Sequence, residues 1–528
     1  MNNKISKYVS LCAMSLAFSL TSCDNFLDKL PDDRAEVNSV EKVQKLLTTA
    51  YPNKTIAVLT EYSSDNVADN GAQFKTGDNQ EEMYRFNQVT TTSNDDPKSV
   101  WEAHYMAIAT ANAALDGISA LGENEQTLPL KAEALLCRAY SVFCLANCFC
   151  MAYDPTKANE YLGIPYPTQS GISVDSRGTL ENTYAMINAD IEAALPLLDD
   201  SYLKVPAYHF NKRAAYAFAA RFNLYYQKWD KAVEYATVAL GTNPISNMRT
   251  GLAGYKSLGN YSNHSNAYIA STEAANFLLV TKYSIMGRMM VDDRYTRFAH
   301  NRTITTRETF WAETPWNAGY NSSDNTLYES HMLYGSDQTV FTGSVFEYFE
   351  VKDKVNQTGY PHIVEMAFTG DETALVRAEA NINLGNYNEA LIDLNNYLLV
   401  HCSATYGTKK RPTLTVENIN SFWNNVKYCA VTPTKEDGTD RTPKKELHPQ
   451  GFTLRDETHI NMLTTVLQLR RYETFRNGLR FQDIKRYGIE FTHNLDGEKD
   501  LVFKAGDLRG AIMLPTDVIE AGLEQNPR

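Results

Sequence analysis

Residues 211–244 restrict the fold more than any other part of this 528-residue chain. Tyr216, Ala220 and Leu224 recur at four-residue steps and fall on one face of a helix. Gln227-Lys228-Trp229-Asp230 then makes a turn, and Ala232, Ala236 and Ala239 form a second face of small residues before Pro244 stops it. Small side chains at three- and four-residue steps allow two antiparallel helices to approach closely, so the segment is predicted to be a helical hairpin.

The spacing is also that of a tetratricopeptide unit: alanines at 220, 232 and 239, then a proline at 244. The logic returns at Ala378 and Ala380, the turn Leu384-Gly385-Asn386-Tyr387, and Ala390. Amphipathic helices are predicted elsewhere. Trp101, Tyr105, Ile108, Asn112, Leu115 and Ile118 share a face, a second helix runs from about Pro129 to Cys150, and Thr179 or Asn182 caps a third carrying Tyr184, Ile187, Ile191, Ala194 and Leu198. The expected fold is mostly α: a tetratricopeptide-like helical-hairpin scaffold of about four hairpins, with a long irregular insertion of loops and short strands.

That insertion is residues 245–365, rich in Tyr, Asn, Ser, Thr and Gly with little helical period and carrying Trp311 and Trp316. Loops of this length on a rigid scaffold usually carry function. Residues 403–460 read as a further exposed, irregular excursion.

At the N-terminus, Lys4 and Lys7 precede an apolar run from Val9 to Leu20 and the sequence Leu20-Thr21-Ser22-Cys23. This is the order of a secretory signal ending in a lipobox, its apolar core too short to span a bilayer. Residues 1–22 are predicted to be a lipoprotein signal peptide and Cys23 the lipidated residue, with 23–40 a polar tether. No later segment is read as uninterruptedly apolar for a membrane crossing, so the lipid is expected to be the sole membrane contact. Losing Lys4 and Lys7 takes the net charge from −13 to −15. An acidic surface without a basic patch argues against nucleic acid as a partner.

Cys137, Cys144 and Cys148 share one helical face and are expected to be reduced and buried; whether Cys402 and Cys429 pair is open. No metal is predicted. The run Asp65-Asn66-Val67-Ala68-Asp69-Asn70-Gly71 misses the EF-hand pattern, with Val67 in the third place and Asn70 in the sixth. It reads as a turn built from Asx side chains, which leaves an irregular calcium site open without predicting one; no cofactor is expected. No G-x-S-x-G elbow, H-E-x-x-H, Walker loop or dinucleotide fingerprint is present, so no catalytic residue is assigned and the chain is not expected to be an enzyme.

Six segments in order resemble the SusD/RagB lipoproteins of Bacteroidetes. They are Cys23-Asp-Asn-Phe-Leu-Asp-Lys-Leu-Pro31, Leu136-Cys-Arg-Ala-Tyr140, the I-x-x-D-x-x-x-A stretch Ile187–Ala194, and Ala378-Glu-Ala380 with Gly385. Two more follow: residues 471–488, carrying Arg471, Glu473, Gly478, Arg480, Asp483, Arg486 and Gly488, and the closing Ile512-Met-Leu-Pro515 with Gln525-Asn-Pro527. Asn477 and Thr474 depart from the pattern, where Glu and Leu or Phe are usual. Glu473, Arg480, Asp483 and Arg486 are expected to tie the C-terminal segment to the helices by salt bridges.

The resemblance implies an outer-membrane lipoprotein facing the cell exterior. It would bind oligo- or polysaccharide and deliver it to a SusC-like TonB-dependent transporter, with 41–244 as the SusD-like N-terminal helical region, 245–365 as the glycan-binding insertion and 366–528 completing the scaffold. Sugars offer C–H faces to aromatic rings and hydroxyls to polar groups. Trp311, Trp316, Asn317, Tyr320, Asn321 and Asp324 supply both kinds within fourteen residues, with Tyr84 and Arg85 in the N-terminal loop. Tyr255, Tyr261, Tyr268 and Tyr295 are further platforms. The competing expectations are a RagB-like peptide binder and a tetratricopeptide adaptor for protein partners.

Overall fold

The computed structural model describes residues 37–528, apart from residues 78, 172–175, 290–291, 319–325, 329–331, 335–337, 407–408 and 435–437. The signal segment, Cys23, Tyr320, Asn321 and Asp324 lie outside the described residues.

Helix α1 (Val40–Leu47) leads into α2 (Pro97–Leu121), whose predicted face is turned inward: Trp101, Ile108, Asn112 and Ile118 are buried. It packs on α3 (Leu128–Phe149), which packs in turn on α4 (Leu180–Ala194). By length and composition α3 could cross a membrane, but its apolar window is wholly buried in protein. Lys131, Glu133 and Arg138 interrupt its apolar run, as the sequence reading requires. Its Cys137, Cys144 and Cys148 are free and buried, as are Cys402 and Cys429. Thr179, not Asn182, caps α4, accepting a hydrogen bond from the Asn182 amide at 3.1 Å.

The alanine-rich hairpin is α5 (Lys212–Tyr225) and α6 (Trp229–Leu240). Asn211 caps α5 by accepting from the Ala214 amide. Ala220, Ala232, Ala236 and Ala239 are all buried where the helices meet, as their spacing requires.

The insertion is more ordered than its composition suggests. Strand β1 (Asn276–Lys282), strand β2 (Tyr348–Asp353) and the twelve-residue β3 (Thr358–Thr369) make an antiparallel sheet with β3 in the centre. Lys282 pairs with Ile363, and Tyr348 with His362. Pro361 lies beyond the last paired residue of β1, where β3 has only β2 beside it, an edge position that tolerates proline.

β3 runs directly into α7 (Gly370–Leu384), capped by Thr369 through the Glu372 amide. Gly385, with φ +89°, takes the left-handed turn into α8 (Tyr387–His401). α7 therefore sits between α6, α8 and α10 (Glu457–Glu473), while α9 (Val416–Trp423) packs on α10 and α11 (Arg480–Tyr487) follows. Three tight hairpins, α2–α3, α5–α6 and α7–α8, stand among the described residues, with α9 and α10 a more open fourth pair.

Residues 403–460 correct the expectation of a wholly exposed excursion. Trp423 is fully buried and donates its indole N–H to Thr465 Oγ1 at 2.9 Å, and Lys444 and Lys445 are buried as well.

Candidate functional site: a loop-built polar face

Two short strands, Ala68–Asp69 and Phe298–Ala299, pair antiparallel and hold loops from distant parts of the chain together. Asp69 accepts from Arg297 at 3.2 and 3.3 Å, and from the Gly71 and Asp496 amides. The Asn70 amide donates to the carbonyls of Thr296 and Gln338. Arg85 closes the edge: its guanidinium donates to both oxygens of Glu498 at 2.8 and 2.7 Å, and to Glu81 at 2.8 Å.

Beneath this face lies a buried charge cluster. Glu308 meets Arg441 at 2.5 Å, Lys445 at 2.6 Å and Arg471 at 3.4 Å. Burial alone would push its carboxyl up; the three cations outweigh that and hold it down to about 2. Asp65 is likewise held well below the usual range, because Arg471 and Arg480 override its desolvation. Asn66 accepts from Arg471 and donates to Glu61. The polar side chains of the 65–71 turn are thus engaged with protein groups.

The motif residues of the C-terminal stretch pair mostly over long range. Arg480 reaches Asp65 and Arg471 reaches Glu308, while Arg486 bonds both Glu379 of α7 and its near neighbour Asp483. Glu473 instead faces His401 and Tyr397. Arg138 and Asp190, from two other motifs, form a buried bidentate pair at 2.7 Å.

The expected ligand residues divide. Tyr84 is not offered to solvent: it is 1 % exposed, stacked on His493 with ring centroids 3.9 Å apart, and its hydroxyl donates to the Asn494 carbonyl. Trp316 is also enclosed, 2 % exposed in the core and edge-on to Tyr472. The tight turn between strands Glu313–Thr314 and Asn317–Ala318 tucks its ring inward, where a large apolar surface gains most from leaving water. Both are corrections to their expected role as platforms. Trp311 is half-buried, and Asn317 lies on the second short strand. Arg85 keeps a partly exposed edge while spending its donors on two glutamates. Tyr255 and Tyr268 are buried, Tyr261 packs edge-on to Phe341, and Tyr295 is half-buried beside Arg294.

Sequence reasoning passed over the aromatics of the sheet, Tyr283, Tyr348 and Tyr360. The available signal was period-two alternation, Tyr348/Glu350/Lys352 and Tyr360/His362, in a region read as loops and short strands with no strand placed.

Residues 25–224 match a SusD-like family model described as starch-binding and associating with the outer membrane. No curated protein matches the sequence. Among solved structures, a SusD superfamily protein from Bacteroides thetaiotaomicron is 18% identical with a TM-score of 0.61, covering 93% of this chain and 100% of that one. A putative sugar binding protein from Bacteroides vulgatus is 16% identical with a TM-score of 0.59, covering 93% and 99%. A SusD-like carbohydrate binding protein from Bacteroides fragilis is 15% identical with a TM-score of 0.56, covering 92% and 98%. These likenesses establish a helical-hairpin scaffold bearing a loop-and-sheet excursion. The chain therefore resembles that SusD-like family over residues 25–224 and shares its fold with these solved structures.

Proposed function

We propose that this protein is a surface lipoprotein that captures oligo- or polysaccharide without turning it over and passes it to a SusC-like TonB-dependent transporter. The observation that carries this reading is the match of residues 25–224 to a family described as starch-binding and associating with the outer membrane. Support for the anchor is the lipobox, with Cys23 as the lipidated residue and the segment 23–40 as tether to the outer leaflet of the outer membrane. The proposed contacts are Trp311, Asn317, Tyr320, Asn321 and Asp324, with the exposed edge of Arg85. No cofactor, metal or nucleic acid takes part.

The two stacked rings of Trp311 and Tyr320 with their polar neighbours, after association costs, give about −4 to −8 kcal/mol, millimolar to micromolar affinity. Weak capture suits a protein that must release its cargo. Affinity electrophoresis of the full-length protein in detergent, through gels containing starch, xylan, dextran or galactan, tests the reading. Retardation by at least one polysaccharide, without reducing-end release, is expected. Peptide binding with no glycan retardation overturns it.

A further inference from the structure

The three-stranded sheet presents a second aromatic surface. Cross-strand neighbours point to the same face, so Tyr348 with His362 and Glu350 with Tyr360 share one side. Tyr348 stacks on His362 with centroids 5.7 Å apart. Tyr283, just past the end of β1, meets Tyr360 edge-on at 5.6 Å and donates its hydroxyl to Glu350 at 3.0 Å. Tyr360 is 53 % exposed, with its ring against Tyr283, while Tyr283 and Tyr348 are half-buried.

Fixed polar groups rim these rings. Lys352 pairs with Glu350 at 2.7 Å, and Lys54 lies over the Tyr283 ring at 5.7 Å while donating to Asn94. The Tyr348 hydroxyl donates to Asn266 at 2.9 Å. The surface runs across two inter-strand spacings, about 10 Å. The opposite face of the same hairpin differs in chemistry: Phe349 and Val351 are exposed there and bring no side-chain polar group.

We infer that the Tyr283/Tyr348/Tyr360 surface is a carbohydrate-binding platform, taking the C–H faces of successive neutral sugar rings on its tyrosines and their hydroxyls on Glu350, Lys54 and Lys352. The inference rests on the glycan-capture reading and adds a site to it, built from residues other than those of the loop face. Pre-fixed tyrosines suit this ligand: a rigid ring with a polar tip binds an amphipathic, weakly held partner at little entropic cost. β3 passes straight into α7, so the platform is mounted on the helical scaffold through a continuous backbone.

The test is affinity electrophoresis of full-length wild type, Tyr360→Ala, Tyr348→Ala/Tyr360→Ala and Phe349→Ala through the same four polysaccharide gels. Thermal melts of each variant confirm that it is folded. The expected result is about threefold to tenfold weaker retention per tyrosine removed, near-wild-type retention for Phe349→Ala, and unchanged melting. Retention of wild type and the double alanine variant alike overturns the platform and leaves glycan capture standing. Absence of retention for wild type in all four gels overturns glycan capture, and the platform with it.

Discussion

Arg480 donates two parallel hydrogen bonds, each 2.8 Å, to the two carboxylate oxygens of Asp65, joining α11 to the N-terminal loops across 415 residues of sequence. Both side chains are buried, so the pair is screened little by water, and Arg471 and Lys445 stand close behind it. The pair is the pin between the scaffold and the polar loop face.

Breaking it leaves cations without their counter-charge in the interior. Asp65→Asn is expected to cost about 3–5 kcal/mol, read as a fall in the urea midpoint. The folded carboxyl titrates below its unfolded value of about 3.9, so its contribution is full above that pH and is lost as pH falls through the folded pKa. The gap between wild type and Asp65→Asn should therefore be wide at pH 7 and close below pH 4.

Glu61 behaves with the opposite sign. It is buried, and desolvation raises its carboxyl to about 7 against the pull of Arg476. A raised carboxyl binds its proton more tightly folded than unfolded, so the Glu61 contribution to stability is greatest at acidic pH and declines as pH rises from about 4.5 through 7. Glu61→Gln keeps the acceptor for Asn66 and removes the ionisation. It is expected to match or exceed wild type in melting temperature at pH 8, with the difference vanishing at pH 5. Equal slopes for the two proteins across that range would refute the assignment.

The helical scaffold was legible because alanine at 220, 232, 236 and 239 leaves few alternatives to close-packed helices, and all four are buried. The sheet was not. β1 finds β3 some eighty residues further on, and Pro361 with Gly359 makes β3 read as loop. In the site, residue type identified aromatics but not their direction. Trp316 and Tyr360 both occur in Tyr- and Asn-rich sequence, and only the turn at 314–317 and the overhang of β3 beyond β1 send one inward and the other out. Arg480 and Arg486 were legible as members of a pairing network, whereas their partners Asp65 and Glu379 were set by folding over long range.

The two tryptophans of the excursion make a contrast that separates stability from recognition. Trp316 is enclosed, so Trp316→Ala is expected to cost about 3–5 kcal/mol, the range for emptying a large aromatic site. Trp311 is half-buried, and Trp311→Ala is expected to lose less stability but to weaken glycan retention several-fold. Paired melts and affinity gels check both. A Trp311→Ala protein with full retention would remove that residue from the proposed contacts.

Gly370, where β3 becomes α7, tests whether the sheet depends on its mounting. A Cβ built there would lie 1.7 Å from the Asn247 carbonyl oxygen, a backbone atom with no rotamer to move, and 3.2 Å from the Phe277 ring. Gly370→Ala must therefore displace the strand–helix junction or the 244–247 turn, an overpacking cost of about 1–3 kcal/mol or more. Gly254, with nothing within 4 Å of the same virtual atom, is the control, and Gly254→Ala should be near neutral. Because the junction sets the course of β3, the Gly370 variant should also lose hydrogen-exchange protection along residues 358–369, with protection in α2 and α3 retained. Uniform loss across both regions would mean that the sheet and the first hairpin unfold as one unit, and that the junction is not a separable mount.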